Sequence, residues 1–161
     1  MKKFIFGTAS IIRGDFHKLT IGKFYDIYTE LLKNYEVIHI INIDQPENLK
    51  NYFTVYETIY SYNKIIPDYV KKIYITPENP SFASAFKNIV NKADEIIDEN
   101  SLFWWLEDDW EPKNNYNFIE IIKDYWKLEN CCFTFSTNAP FGSFRGGPLI
   151  NYSYFKYKLL Q

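Results

Sequence analysis

A run of apolar residues that ends in three consecutive carboxylates constrains this chain more than any other feature. Residues 102–106, Leu-Phe-Trp-Trp-Leu, predict a buried strand, and Glu107, Asp108 and Asp109 follow it directly, with Pro112 stopping any extension. Adjacent carboxylates repel one another, and a hard divalent cation shared with substrate phosphates commonly neutralises them. The cluster therefore predicts a metal site for a phosphorylated ligand. The alternative is a solvated acidic turn after an edge strand.

Strand and helix patterns alternate along the chain. β-Branched or apolar runs predict strands at 3–6, 37–43, 72–75, 102–106 and 131–135. Apolar residues at helical spacing predict helices at 21–34, 47–62, 82–97 and 116–128, with Ser81 as the N-cap of the third. This order predicts an α/β fold whose mainly parallel, Rossmann-type sheet is flanked by helices, in a single domain over 1–161.

The overall composition excludes some classes of partner. The net charge is −2 and the pI about 5.7, so there is no electrostatic argument for nucleic acid. No apolar window is long enough to span a membrane. The adjacent Cys131 and Cys132 point to opposite faces of a strand, which predicts reduced thiols and a cytoplasmic protein.

Residues near the ends of the first two predicted strands suit a nucleotide. The first strand is predicted to end at Gly7, so the small residues Thr8 and Ala9 would form a turn that lets the backbone approach a ligand. Arg13 offers a planar fork for phosphate. Asp44, at the end of the second strand, can accept an N–H from a base edge, although a helix N-cap or turn is equally compatible.

The remaining candidates concern phosphate and metal. Lys87, on the helix before the acidic strand, is a candidate for phosphate, but Lys87 and Arg13 also suit ordinary surface positions. Asp109, aided by Asp108 and Glu107, is predicted to hold Mg²⁺ or Mn²⁺. Such a cation would offset charge on a departing diphosphate.

The order of these pieces resembles the nucleotide-binding half of the GT-A glycosyltransferases. The resemblance covers about residues 3–112: an opening strand, a second strand ending in Asp44, and a helix from Ser81 that leads to the acidic strand end. The chain is similar to the short glycosyltransferase domains of large DNA viruses, which would place it in a host cytoplasm. The resemblance implies a GT-A-like fold with a nucleotide- and metal-binding half at 1–112 and a short acceptor-side half at 113–161.

The resemblance also implies partners and residue roles. The donor would be a nucleotide sugar, a UDP-sugar or similar, and the acceptor a glycan. Thr8, Arg13 and Asp44 would hold the nucleoside, Asp109 the metal, and Asp108 or Glu107 would support the metal or touch the donor sugar.

The acceptor side is predicted from the resemblance and from residue chemistry. Trp110 is the candidate for stacking on a sugar, and Arg145 for a phosphate or sugar hydroxyl. Gly146 and Gly147 allow close approach of the backbone to a ligand, although a plain turn between strands explains them equally well.

One departure from the family pattern leaves the reaction open. Inverting members typically use a carboxylate base well downstream of the metal motif, yet no Asp or Glu follows Glu129. The chain is then a piece of a longer enzyme, a retaining enzyme, or a non-catalytic nucleotide- or glycan-binding module, and no catalytic residue is identified. A metal-dependent nucleotidyltransferase is a further alternative, disfavoured because only one glycine, Gly7, precedes Arg13 in the first loop.

Overall fold

A computed structural model describes residues 1–13, 15–109, 132–134 and 148–156. Its strands are β1 (Lys3–Ile11), β2 (Glu36–Asp44), β3 (Lys71–Ile75), β4 (Ser101–Trp105), β5 (Cys132–Thr134) and β6 (Pro148–Asn151). Its helices are α1 (Ile21–Leu32), α2 (Val55–Ile65) and α3 (Phe82–Asp94), with a 3-10 turn at Asp15–Leu19 and a helical turn at Tyr152–Tyr154.

These strands form one sheet in the order β3-β2-β1-β4-β6-β5. The pairs β1–β2, β1–β4 and β2–β3 are parallel, whereas β6 runs antiparallel to both β4 and β5. The prediction of an α/β fold with a mainly parallel sheet flanked by helices is therefore confirmed. In β2 the residues from Val37 to Asp44 are all buried, because helices cover both faces of the sheet.

Two apolar cores lie on opposite faces of the sheet. Phe4 and Phe6 of β1 pack in the core shared with α1 and α2, and Ile5 packs in the core under α3. Trp104 and Trp105 divide in the same way, as the alternation of side chains along a strand predicts.

The prediction that β1 ends at Gly7 is wrong, because the strand continues to Ile11. A Cβ atom at Gly7 would lie 2.6 Å from Cγ2 of Ile89 on α3 and 2.8 Å from Cζ of Phe103 on β4. Gly7 thus permits α3 to pack closely on the sheet, and it does not serve as a turn.

The starts of helices α2 and α3 are set by their capping residues. Helix α2 begins at Val55 and not at residue 47, because Thr54 and Glu57 form a capping box. Ser81 caps α3 as predicted, with its hydroxyl accepting from the Ser84 N–H at 3.1 Å. β6 was not expected from the Gly- and Pro-rich tail, and the predicted helix at 116–128 lies outside the described residues.

No helix in the described ranges combines the length and apolar character that crossing a bilayer requires. The predicted division into halves at 1–112 and 113–161 stays a prediction.

Candidate functional site

The carboxyl ends of β1, β2 and β4 lie side by side at one edge of the sheet. Because β2 lies on one side of β1 and β4 on the other, the strand order reverses between β1 and β4. In open α/β sheets, ligands bind in the crevice outside the carboxyl ends at such a switch point. We call this edge the rim and define it by Ser10, Arg13, Asp44 and residues 107–109. Most of the predicted nucleotide and metal residues lie on it.

Asp108 connects several parts of the rim through hydrogen bonds. Its Oδ2 accepts hydrogen bonds from the Ser10 hydroxyl, at 2.8 Å, and from the Arg13 guanidinium. The Tyr62 hydroxyl in turn donates to Ser10 Oγ at 2.9 Å. The Asp108 backbone carbonyl accepts from Thr20 Oγ1 at 2.6 Å. The end of β4 is therefore fixed to β1, to α2 and to the residue that precedes α1.

The three carboxylates of the rim occupy different environments. Asp108 is 5% exposed, and burial raises its pKa more than the neighbouring Arg13 lowers it. Glu107 is half-buried and accepts a bond from Trp105 Nε1 at 2.7 Å; burial raises its pKa despite this bond. Asp109 is exposed. Of the three, Asp109 is the carboxylate most open to an incoming cation.

These environments revise the predicted metal ligands. Oδ2 of Asp108 is engaged by Ser10 and Arg13, whereas Asp109 is exposed, so Asp109 with Glu107 is the more accessible pair of carboxylates. Among the described residues, no group of three or more His, Cys, Asp or Glu side chains could enclose a metal by itself. The arrangement fits a Mg²⁺-like cation that takes one or two carboxylates and completes its shell with water and substrate phosphates.

Asp44 ends β2 beside β1, where its carbonyl oxygen accepts from the Ile12 N–H at 2.9 Å. Its side chain is held by asparagines: Asn42 Nδ2 donates to Asp44 Oδ1 at 2.8 Å, and Asn88 Nδ2 on α3 donates to Asn42 Oδ1 at 3.2 Å. Burial raises the pKa of Asp44 and the bond from Asn42 lowers it. Asp44 is thus a fixed acceptor at the rim, neither a helix N-cap nor a free turn residue.

Thr8 does not belong to the rim. It is fully buried, and its Oγ1 lies 2.8 Å from His39 Nε2, whose ring partner Nδ1 lies 2.9 Å from the Tyr25 hydroxyl. Burial lowers the pKa of His39 to about 3, so the imidazole is neutral. The predicted contact between Thr8 and a nucleoside is incompatible with this burial, because the continued strand turns the side chain towards α1.

Two other predicted residues lie near the rim without the expected contacts. Ala9 is partly buried against the core under α3, so its side chain packs within the protein. Lys87 is exposed on α3, and its neighbour Asn88 is the residue that reaches β2. The predicted acceptor-side residues Trp110, Arg145, Gly146 and Gly147 lie outside the described residues.

Sequence reasoning missed Asn42, Asn88 and Tyr62. A signal for Asn42 exists, because asparagine is rare within a β-branched strand and a buried amide requires partners. Asn88 and Tyr62 have no comparable signal, since each occupies an ordinary position on a helix and only the fold brings it to its partner.

No protein-family model matches this sequence, and a search of curated proteins found no match. The functional argument therefore depends on the geometry of the rim and on the chemistry of its side chains.

Proposed function

We propose that this chain is a GT-A-type, metal-dependent glycosyltransferase that binds a nucleotide sugar at the rim and transfers the sugar to a glycan acceptor. The observation that carries the proposal is that Arg13, Asp44 and Asp109 lie at or just beyond the carboxyl ends of β1, β2 and β4, which share one edge of the sheet. Sequence-distant residues with affinity for phosphate, for a base N–H and for a hard cation thereby lie at the edge where such sheets bind ligands.

The base and the diphosphate would contact different parts of the rim. Asp44 is buried except for a small exposed fraction, and its carboxylate can accept a ring N–H from a base. The Arg13 side chain is 24% exposed and is oriented by Asp108, and its planar guanidinium suits phosphate oxygens. This division leaves the acidic end of β4 for the cation.

Asp109 and Glu107 would hold a divalent cation together with the diphosphate. When bound, such a cation supplies Lewis-acid stabilisation of the leaving diphosphate. The protein's own contribution is to keep Arg13 and Asp108 paired beside that position, so that the positive charge of Arg13 stays fixed.

One observation favours a second candidate function, nucleotide-sugar binding without transfer. No Asp or Glu occurs in residues 130–161, so this stretch offers no carboxylate base. Release of nucleoside diphosphate from a nucleotide sugar, measured with and without candidate glycan acceptors, distinguishes the two. Binding without release in any reaction would favour the binding module.

The test of the shared binding step is thermal stability with each common nucleoside diphosphate, with and without Mn²⁺. At a ligand concentration about 100 times Kd we expect Tm to rise by roughly 5–10 °C. Asp109→Asn is expected to abolish the Mn²⁺-dependent part of this rise while leaving Tm without ligand unchanged.

Asp68→Asn is the matched control, because Asp68 is exposed and precedes β3 at the opposite edge of the sheet. The proposal fails if no nucleoside diphosphate changes the Tm of the unmodified chain. It fails equally if Asp109→Asn and Asp68→Asn retain the same metal requirement.

A further inference from the structure

Two asparagines form a hydrogen-bonded relay from α3 to the end of β2. Asn88 Nδ2 donates to Asn42 Oδ1 at 3.2 Å, and Asn42 Nδ2 donates to Asp44 Oδ1 at 2.8 Å. Asn42 is fully buried, and Asn88 is half-buried on the side of α3 that faces the sheet. The relay therefore connects a helix position to the carboxylate that faces the rim.

The direction of this relay is set by the charge of Asp44. An ionised carboxylate only accepts hydrogen bonds, so Asn42 must turn its NH₂ group towards Asp44. The carbonyl oxygen of Asn42 then faces Asn88, which must supply a donor because a buried, unpaired carbonyl is costly. A protonated Asp44 carries a donor as well as an acceptor, so it would also accommodate the opposite orientation of both amides. The orientation at position 88 and the protonation state at position 44 are therefore linked.

We propose that Asn88 is a positioning residue that acts through Asn42 to hold Asp44 as an ionised acceptor for a ring N–H of the bound base. The identity of the ligand as a nucleotide rests on the function proposed above, whereas the relay itself does not. An ionised acceptor at this position favours uracil or guanine, which carry a ring N–H, over cytosine or adenine, which present a bare ring nitrogen there.

The charged groups around Asp44 do not replace this relay. Arg13 follows β1, the strand paired with β2, and its guanidinium is engaged by Asp108. On α3 the neighbouring cation Lys87 lies on the exposed side of the helix. The charged residues of β3, Lys71 and Lys72, lie at the opposite end of that strand, paired with Ile38 and His39 of β2. The pKa of Asp44 lies above its ordinary value because burial raises it more than the bond from Asn42 lowers it.

Asn88→Asp is the variant that reverses the relay. An acceptor at position 88 draws the NH₂ group of Asn42 towards itself, and the carbonyl of Asn42 then faces Asp44. Asp44 must take up a proton to donate to that carbonyl, so its pKa is expected to rise. Asn88→Ala removes the donor without adding charge and is expected to raise the pKa of Asp44 less. Asn91→Asp adds the same charge at an exposed position of α3 and serves as the control.

The first measurement is the carboxyl-¹³C titration of Asp44 in the ligand-free protein, with its signal assigned through Asp44→Asn. We expect the midpoint to move to higher pH in Asn88→Asp and in Asn88→Ala, and to stay unchanged in Asn91→Asp. A midpoint that moves only in Asn88→Asp would reduce the effect to charge repulsion and overturn the relay. An unchanged midpoint in both position-88 variants would overturn it as well.

The second measurement is the affinity for uridine diphosphate with Mn²⁺ between pH 5 and pH 8. At pH 7 Asn88→Asp is expected to weaken binding about tenfold or more, which corresponds to one lost charge-assisted hydrogen bond. The pH below which binding fails should also rise in this variant, and Asn91→Asp should match the unmodified chain. If the unmodified chain binds no nucleotide, the proposed function fails, and the titration still decides whether Asn88 controls Asp44.

Discussion

Replacement of Arg13 by Met tests whether the carboxylate of Asp108 belongs to an internal ion pair. Asp108 is buried, with a side chain 8% exposed, whereas the Arg13 side chain is 24% exposed. Removing Arg13 leaves the buried charge with the Ser10 hydroxyl as its remaining side-chain donor among the described contacts. Loss of one partner of a buried pair destabilises because the other charge stays uncompensated.

The size of the effect has a lower and an upper bound. While Asp108 stays ionised, the lost charge-assisted hydrogen bond alone is worth about 2 kcal/mol. In the variant Asp108 can also take up a proton, which removes the buried charge. At pH 7 this limits the cost to about 4 kcal/mol, because protonation of a carboxyl group of ordinary pKa about 3.9 costs about 1.36 kcal/mol per pH unit. At pH 5 the same limit is about 1.5 kcal/mol.

The pKa of Asp108 determines how the stability loss in Arg13→Met should change with pH. Burial already raises the pKa of Asp108, and removal of Arg13 raises it further. A carboxyl group whose pKa is raised in the folded state contributes stability at low pH, and that contribution is lost as the pH rises through the folded pKa. Arg13→Met should therefore lose more stability at pH 7 than at pH 5, relative to the unmodified chain.

Urea unfolding at pH 7 and pH 5, with a chelator present to exclude divalent cations, measures this difference. At pH 7 we expect a loss of about 2–4 kcal/mol, or a Tm lower by roughly 4–16 °C. The double variant Arg13→Met/Asp108→Asn should recover most of the loss, because no buried charge remains. A single variant within about 0.5 kcal/mol of the unmodified chain would refute the reasoning, since that is the range of ordinary surface substitutions. An equal loss at both pH values would refute it too.

Two further predictions concern the fold that positions the rim. Gly7→Ala is expected to destabilise by about 1–3 kcal/mol through overpacking, because its Cβ would meet Ile89 at 2.6 Å and Phe103 at 2.8 Å. Urea unfolding checks this, and unchanged stability would mean that α3 can move away from β1. Thr54→Ala is expected to cost about 1 kcal/mol by removing the capping box with Glu57, and Thr54→Ser should restore it. A Tm equal in all three chains would contradict that role of Thr54.

Local sequence signals predicted elements better than they predicted boundaries. Ser81 combines a capping side chain with a following apolar stripe, and α3 begins where that pattern predicts. The sequence predicts that α2 starts at residue 47, but the cap that operates is Thr54 with Glu57 three residues later. The sequence indicates that Gly7 ends β1 at a turn, whereas the structure shows that the position requires a residue without a side chain next to α3.

The rim was predicted in outline because carboxyl ends of parallel strands must share an edge. Its contacts depend on facts that sequence order does not contain. Because β1 extends beyond Gly7, Thr8 is buried within the strand against His39, and Ser10, two residues further along the same face, meets Asp108. Asn88 enters the site only because α3 packs across β1 and β2, a relation between distant segments.

The neutral imidazole of His39 has a consequence for spectroscopy. Both ring nitrogens have hydroxyl neighbours, Thr8 and Tyr25, and a neutral ring carries a single N–H proton, so one hydroxyl donates to the ring and the other accepts from it. The ring is fully buried between β1, β2 and α1. Solvent reaches that proton only when the sheet and its helices separate, so its rate of exchange with deuterium would report the opening of this half of the molecule.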